Sequence, residues 1–293
     1  MSSAESIAHA SSSTVSARLV GWLTLARVSN SPTVASDVLA GAALAGAVEP
    51  SGAIGLLIFA MVVFYTAGML LNDVCDFRWD LAHRPDRPLV QGVVSRSAAF
   101  VATLGLFALG STLLWLIGPR AFLSGLVLIG LIVLYDTWHK TNPLSPLVMA
   151  ACRLLVYVTA FVAFAWPPTP MLVIAGGLLV VHLVGLTAIA KSESRPTVAG
   201  YWPAALMFLP PLFFLTQVPV LAVAEAAWVA TCVRFVYRRT ERRIGVAIAR
   251  LIAGISLVDL LVLATIGAPP LMLAFALVAF GLTLLLQRYV EGT

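Results

Sequence analysis

Long apolar runs dominate this chain and restrict the folds that it can adopt. An α-helix needs roughly 20 consecutive apolar residues to cross a bilayer, and Pro, Gly or charged residues interrupt the chain at about that spacing. Hydrophobic residues fill 60% of the 293 positions and charged residues only 11%, which is far too apolar for a soluble domain. We therefore predict an all-α, polytopic transmembrane helix bundle. The predicted spans are 33–48, 53–73, 97–117, 121–138, 145–165, 170–190, 200–217, 219–237, 245–265 and 269–288.

Basic residues divide unevenly between the two sides of these spans. Short cytoplasmic loops of membrane proteins collect Lys and Arg, and a cytoplasmic N-terminus leaves only Arg120 in the loops of the opposite side. We predict an integral protein of the plasma (inner) membrane with both termini cytoplasmic and a functional site on that side. The cytoplasmic set is Arg78, Arg84, Arg87, Arg96, Lys140, Lys191, Arg195, Arg238, Arg239, Arg242 and Arg243.

The first residues differ in composition from the rest of the chain. Residues 1–17 are rich in Ser and Ala and lack the basic start and apolar core of a signal peptide, so we predict a flexible tail. Residues 18–293 form one predicted transmembrane domain. Three widely spaced cysteines cannot form a disulfide framework or a zinc cluster, so we interpret them as packing residues.

Three aspartates occur together in the segment LNDVCDFRWDLAHRPDRPLVQG, residues 71–92. If the second span continues as a helix through this segment, Asn72, Asp73, Asp76 and Asp80 fall within about 100° on one face. Like charges three and four residues apart repel, so the arrangement costs stability unless a cation compensates it. Carboxylate oxygens suit Mg²⁺, which commonly bridges protein carboxylates to phosphates.

Arginines follow the aspartates directly. Arg84 and Arg87 lie in a loop that prolines stiffen, and guanidinium groups bind phosphate oxygens in pairs. Carboxylates for a metal beside arginines for phosphate indicate a diphosphate site. Two alternatives stay open: a solvated helix end whose aspartates pair with Arg78, Arg84 and Arg87, or a basic loop that only fixes topology.

The whole pattern resembles the first aspartate-rich motif of the UbiA superfamily of intramembrane prenyltransferases. The resemblance implies that Asp73, Asp76 and Asp80 hold Mg²⁺ against the diphosphate of an isoprenoid donor. It covers residues 26–200 by motif and the remainder by hydropathy alone. The family is usually described with nine spans, so we expect nine to ten. The matching residues are Asn72, Asp73, Asp76, Asp80, Arg87, Pro88, Leu89 and Gly92.

Two further stretches resemble the same family. Tyr135 and Lys140 match a Tyr at the end of the fourth span and a Lys five residues later. The resemblance implies that Lys140 contacts the diphosphate and that Tyr135 belongs to the substrate site, although Lys140 by itself is equally a snorkelling interface residue. Thr141 stands where the family usually has Arg. Asn30 lies near the mouth of the first span and is a candidate substrate-binding residue.

Isolated charges also occur within the predicted spans. A charge inside a span costs free energy and is a functional candidate by default. Asp37 is therefore either functional or the partner of Arg153, which lies in the fifth run. Glu225 and Asp259 have no neighbouring motif, and we expect them to pack against Ser, Thr or Arg250.

The second aspartate-rich motif of the family is largely missing. Its place reads LTAIAKSESRPTVAG, where Glu193 is flanked by Lys191 and Arg195. Such a site either holds one Mg²⁺ and grips the diphosphate with these two cations, or has altered or lost prenyl transfer. The ACR at 151–153 and the SESR at 192–195 resemble a subgroup found with ebo-type metabolite clusters, which widens the substrate range.

The predicted function is Mg²⁺-dependent transfer of an isoprenoid chain from a prenyl diphosphate to an unknown small acceptor within the lipid bilayer. Nucleic acid is not an expected partner. The alternatives are a membrane transporter or flippase, and a non-catalytic relative that binds prenyl diphosphate. The predicted catalytic residues are Asp73, Asp76, Asp80 and Lys140, with substrate binding by Asn30, Asn72, Arg84, Arg87, Tyr135, Lys191 and Arg195.

Overall fold

The computed structural model describes residues 17–140, 142–193, 200–238, 243–290 and 292, and these ranges contain helices and no strand. A short 3₁₀ turn at Val28–Asn30 follows the first helix. The helices are α1 (17–25), α2 (Ser31–Leu44), α3 (Gly52–His83), α4 (Arg96–Ile117), α5 (Pro119–Trp138), α6 (Ser145–Phe164), α7 (Pro170–Ala190), α8 (Trp202–Met207), α9 (Leu209–Phe214), α10 (Pro219–Val236), α11 (Ile244–Thr265) and α12 (Pro270–Leu286). The predicted all-α class is confirmed.

Seven helices in the described ranges are long and apolar enough to cross a membrane, namely α3 to α7, α10 and α11. The α8–α9 pair and α12 are shorter apolar segments. Each of these segments falls on one of the predicted apolar runs. The chain is therefore an integral membrane protein.

Local signals explain where the spans begin. The side chains of Ser51, Ser95 and Thr169 accept hydrogen bonds from backbone N–H groups in the first turns of α3, α4 and α7. Side-chain oxygens at this position satisfy N–H groups that have no partner within the helix. Proline lies in the first turn of most other helices, where its missing N–H costs nothing.

The predicted run 200–217 does not form one helix. It divides into α8 and α9, with Phe208 between them. Pro210 and Pro211 have no backbone N–H groups, so the helical hydrogen-bond ladder cannot continue through them. This local chemistry corrects the prediction of a single continuous span.

Helix α2 lies at the centre of the bundle and packs against α3, α6, α11 and α12. Its backbone comes so close to α6 that a Cβ on Gly41 would lie 2.6 Å from the carbonyl oxygen of Tyr157. Helices α4 and α5 lie at the periphery and expose large apolar side chains such as Val101, Trp115 and Val127. An apolar outer surface of this kind suits contact with lipid.

A buried polar cluster joins α2, α6 and α11. Arg153 Nη1 lies 2.7 Å from a carboxylate oxygen of Asp37, so the pairing that was one of the two alternatives for Asp37 is formed. Asp259 accepts hydrogen bonds from the hydroxyl groups of Ser36 and Tyr157. Three separated segments of the chain thus bring their polar groups together inside the bundle, while Asp37 Oδ1 has no hydrogen-bond partner within the described residues.

Glu225 is different, because it is buried in α10 and neither of its carboxylate oxygens has a hydrogen-bond partner among the described residues. The expected contact with Arg250 is not formed by a hydrogen bond, since that guanidinium lies over the Phe235 ring at 4.8 Å. Asp259 was expected to contact Ser, Thr or Arg250, and it accepts a hydrogen bond from the Ser36 hydroxyl group.

Candidate active site

Helix α3 carries the aspartates beyond the membrane-crossing part of its length. Its 32 residues span about 48 Å, whereas the hydrocarbon core is about 30 Å thick. The helix continues unbroken through the aspartate segment, so its periodicity brings the four oxygen-bearing side chains onto one face. Asn72, Asp73 and Asp80 are buried there, and the side chain of Asp76 is 12% exposed.

These residues line a polar cleft of about 590 Å³, which is within the usual size range of small-molecule sites. The cleft brings together residues from α3, the loop after it, the end of α5 and the end of α7. Eight of the residues predicted from the sequence line it. The lining residues are Arg27, Asn72, Asp73, Asp76, Trp79, Asp80, His83, Arg84, Arg87, His139, Lys140, Ala190, Lys191 and Glu193.

Arg27 is a site residue that sequence reasoning missed. Its Nη2 atom donates to Asp73 Oδ1 at 3.2 Å and to Asn72 Oδ1 at 3.4 Å, and its Nη1 atom contacts the sulfur of Met69. Its backbone is left-handed, with φ of 43°. This conformation costs energy for a residue other than glycine, and such strain is found most often at functional sites. Arg27 lies between α1 and α2 and belongs to no recognisable sequence pattern, so the sequence alone did not identify it.

Two basic side chains that follow α5 approach Asp76. Lys140 Nζ lies 2.8 Å from Asp76 Oδ2 and 3.9 Å from the centre of the Trp79 ring. His139 Nε2 lies 3.5 Å from the same carboxylate oxygen, a contact that becomes an ion pair when the imidazole is protonated. His139 also stacks on Tyr135, with ring centres 4.8 Å apart.

The end of α7 forms the opposite wall. Lys191 Nζ donates to the carbonyl oxygen of Asn142 at 2.8 Å and to Ser145 Oγ at 2.6 Å. Glu193 lies 3.8 Å from Arg84, and both side chains are about 40% exposed, so this ion pair contributes little to stability. The predicted contribution of Arg195 lies outside the described residues.

Positive charge is crowded at the mouth of the cleft. Burial and the neighbouring Arg27 lower the pKa of Arg87 below its usual value. Five Lys or Arg side chains line the cleft beside four carboxylates. A multiply charged anion such as a diphosphate relieves repulsion of this kind among the cations.

The aspartates form no described ion pair with Arg78, Arg84 or Arg87, which the alternative of a solvated helix end predicted. Among the described residues, Asp73 pairs with Arg27 and Asp76 with Lys140. The second oxygen of Asp73 is buried without a hydrogen-bond partner, and the described bonds include none from the Asp80 side chain. Within the described ranges, no group of three or more His, Cys, Asp or Glu side chains is close enough to form a preformed metal centre. The unpaired carboxylate oxygens nevertheless form a donor set that fits a hard divalent cation.

An apolar cleft adjoins the polar cleft on the membrane side. Asn72 connects them, because its Nδ2 atom donates to Asp136 Oδ1 at 3.0 Å. Tyr135 lies in this second cleft and does not line the polar one. The lining residues are Val34, Met61, Phe64, Tyr65, Gly68, Met69, Leu128, Ile132, Tyr135, Asp136, Met149, Cys152, Arg153 and Val156.

Asn30 is held by the end of the described chain. Its Nδ2 atom donates to the carbonyl oxygen of Gly292 at 2.7 Å, and its Oδ1 atom accepts from Gln287 Nε2 at 3.0 Å. Asn30 does not line either cleft. The structure therefore does not bring this predicted substrate-binding residue to the site.

A sequence model of the UbiA prenyltransferase family matches residues 34–292. The digeranylgeranylglyceryl phosphate synthase of Thermococcus kodakarensis is 33% identical over 143 residues, which are 47% of this chain and 41% of the relative. The protein of the same name from Methanoregula boonei is 39% identical over 89 residues, 30% of this chain and 32% of the relative. The chain thus spans less than half the length of these curated relatives.

Solved structures share the fold over most of the chain. A UbiA homologue from Archaeoglobus fulgidus bound to GPP and Mg²⁺ has a TM-score of 0.62 at 14% identity, covering 89% of this chain and 99% of its own. A structure described for digeranylgeranylglyceryl phosphate synthase has a TM-score of 0.59 at 17% identity, covering 88% and 99%. At these identities the likeness shows a common fold.

Proposed function

Since the chain belongs to the UbiA prenyltransferase family, we propose that it transfers an isoprenoid chain from a prenyl diphosphate to a small acceptor within the membrane in a Mg²⁺-dependent reaction. The observation that carries this proposal is that neighbouring side chains line a charged cleft and an apolar one. Asn72 links the two through its hydrogen bond to Asp136. A prenyl diphosphate has the same division into a charged head and an apolar chain.

Each group of cleft residues has a proposed role in binding the donor. Asp73, Asp76 and Asp80 would hold Mg²⁺, because carboxylate oxygens are its preferred protein ligands. Arg27 orients Asp73 and Asn72 through its two Nη2 contacts. Phosphate oxygens would be bound by Arg84, Arg87, Lys140 and Lys191, with Arg195 proposed on sequence alone.

The reaction breaks the bond between the allylic carbon and the diphosphate oxygen. Mg²⁺, when bound, neutralises negative charge that develops on the leaving diphosphate. The cations of the cleft stabilise the same charge, and those already in place do so with little reorganisation. Lys140 can move from Asp76 to a phosphate oxygen, because its side chain is 38% exposed at the cleft. The apolar cleft keeps water away from the allylic carbon.

The membrane supplies the donor to this site. Each CH₂ group of the isoprenoid chain that leaves water contributes roughly 0.8 kcal/mol, so the donor partitions into the bilayer. We propose the plasma membrane, with the polar cleft on the cytoplasmic side, because basic residues concentrate around it. Ten crossings are proposed, supported by the hydrogen bond between Asn30 and Gly292, which brings the start of α2 and the segment after α12 to one side.

The names of the curated relatives suggest the first acceptor to test. They are digeranylgeranylglyceryl phosphate synthases, so a prenylated glyceryl phosphate is a reasonable candidate here. The acceptor is tested as part of a panel because the second acidic motif is reduced to Glu193, which permits a different substrate from that of the relatives.

The decisive experiment follows radiolabel from geranylgeranyl diphosphate into organic-extractable products, using membranes that contain this protein and a host metabolite extract. We expect a product that requires Mg²⁺ and that Asp76→Asn abolishes. Asp86→Asn is the matched control, because Asp86 is exposed in the loop after α3 and the substitution removes the same charge. Loss of product in the control as well would show that the effect is not specific to Asp76.

The same experiment distinguishes the remaining alternatives. A non-catalytic relative would bind the donor in a Mg²⁺-dependent manner and form no product with geranylgeranyl, phytyl or shorter donors. A transporter or flippase would move labelled lipid across vesicles without forming product. The complete burial of Asp37 in its pair with Arg153 disfavours a transport path through that residue.

A further inference from the structure

Asp136 is an acidic side chain that the donor site does not use. It lies near the end of α5 and is 6% exposed. One carboxylate oxygen accepts from Asn72 Nδ2 at 3.0 Å. The other is buried and has no hydrogen-bond partner within the described ranges. Burial of an unsatisfied charged group is costly, so the site favours a ligand that donates a hydrogen bond.

The surroundings of Asp136 locate this ligand between the two clefts. Asp136 lines the apolar cleft, whereas its partner Asn72 lines the polar one. Asn72 Oδ1 also accepts from Arg27, which bonds Asp73. Asp136 is therefore connected to the proposed metal ligand Asp73 through two side chains, those of Asn72 and Arg27. The apolar cleft has a volume of about 90 Å³, which suits the allylic end of an isoprenoid chain and not the whole chain. With the diphosphate in the polar cleft, that end would place its reacting carbon beside this carboxylate.

We propose that Asp136 binds the nucleophilic hydroxyl group of the acceptor and accepts its proton during transfer. This inference rests on the proposed function, because it assumes a prenyl diphosphate donor in the two clefts. Its new content is the residue that binds and deprotonates the O–H group at the reacting end of the acceptor. A carboxylate with a free oxygen attracts such a donor and repels the anionic part of a phosphate-bearing molecule.

The step balances with the groups already named. The bond between the allylic carbon and the bridging diphosphate oxygen breaks, and its electron pair leaves with the diphosphate. The acceptor oxygen forms a new bond to that carbon. The proton of the acceptor hydroxyl passes to the free oxygen of Asp136. Asn72 keeps the other oxygen in place throughout.

The substitution Asp136→Asn tests this assignment because it keeps an oxygen that can accept from Asn72 but removes the negative charge. The full chain is measured in lipid nanodiscs with Mg²⁺ and two readouts. The first is binding of geranylgeranyl thiodiphosphate, a donor analogue that resists ionisation. The second is prenyl transfer to hexadecylglycerol, hexadecylglycerol phosphate, pentadecylphenol and a host lipid extract. Asp86→Asn is again the matched control.

We expect the donor analogue to bind Asp136→Asn within twofold of the unsubstituted protein. Transfer should fall at least 100-fold in kcat/KM for the acceptor, since a positioned proton acceptor contributes on the order of 10²–10⁴ in rate. Asp136→Glu retains the carboxylate, so its kcat/KM for the acceptor should be at least tenfold higher than that of Asp136→Asn. A role confined to holding Asn72 would leave the acceptor kinetics of Asp136→Asn unchanged.

Several results would overturn the inference. Two concern Asp136→Asn: unchanged prenyl transfer, or a loss of donor binding as large as the loss of transfer. Two others are transfer by Asp136→Glu that is no faster than by Asp136→Asn, and products in which the isoprenoid chain is bonded only to a carbon of the acceptor. An unsubstituted protein that binds the donor but prenylates no hydroxyl group also overturns it, while the proposed donor site stands. If that protein neither binds the donor with Mg²⁺ nor forms product, the proposed function itself fails.

Discussion

The contacts of Arg27 allow us to calculate how much the substitution Arg27→Lys should weaken binding of the donor. The guanidinium bonds Asp73 and Asn72 from one nitrogen, at 3.2 and 3.4 Å, while its other terminal nitrogen contacts Met69. A lysine keeps the positive charge but replaces the two terminal nitrogens with one on a shorter side chain, so at least one of the three contacts is lost. One lost hydrogen bond to a charged group costs about 1.5–3 kcal/mol.

This loss should appear in binding of the donor, because Arg27 orients a proposed metal ligand and the asparagine beside it. About 1.5–3 kcal/mol corresponds to a roughly 10- to 150-fold weaker affinity for geranylgeranyl diphosphate in the presence of Mg²⁺. The measurement is equilibrium binding to the purified protein in nanodiscs, with the thermal midpoint recorded in parallel to confirm folding.

Arg18→Lys provides the matched control, because Arg18 is exposed on α1 and the substitution is the same. We expect its donor affinity to stay within twofold of the unsubstituted protein. Equal affinities for the Arg27 and Arg18 variants would refute the reasoning, since the contacts to Asp73 and Asn72 would then have no bearing on the donor.

Two further predictions concern packing and the second acidic position. Gly41→Ala should destabilise the fold by about 1–3 kcal/mol, because the added Cβ would lie 2.6 Å from the Tyr157 carbonyl oxygen. Thermal unfolding in detergent measures this against Gly105→Ala, where a Cβ meets nothing within 4 Å, and equal midpoints would contradict the predicted close packing. Glu193→Gln should change Mg²⁺-dependent donor binding by no more than twofold, since its ion pair with Arg84 is long and exposed. A loss comparable to that of Asp76→Asn in the same assay would show instead that this position serves the metal.

Helix α3 shows why part of the site follows from sequence. The relative directions of Asn72, Asp73, Asp76 and Asp80 depend only on the helical repeat, and α3 is continuous through all four. The apolar runs likewise indicated the helical segments, because the length needed to cross a bilayer is a local property. The division of 200–217 could have been foreseen from Pro210 and Pro211, whose missing N–H groups are also a local signal.

Contacts between distant segments required the tertiary structure. Arg27 bonds Asp73 across 46 positions, and Asn72 bonds Asp136 across 64. No local repeat relates such positions, so neither Arg27 nor Asp136 stood out. Asn30 illustrates the reverse case, because its place near the first span suggested substrate binding while the folded chain commits its side chain to Gly292.

The sequence by itself determined that the chain is a membrane-embedded helical bundle with an aspartate-bearing helix face near one surface. Hydropathy and helical periodicity act within about 20 consecutive residues, so they can be counted along the chain. Only the tertiary structure decided which cation neutralises which aspartate, and that an apolar cleft meets the charged one at Asn72 and Asp136. The physical reason is that electrostatic pairing and cleft formation depend on distances in space, which packing of the whole bundle sets.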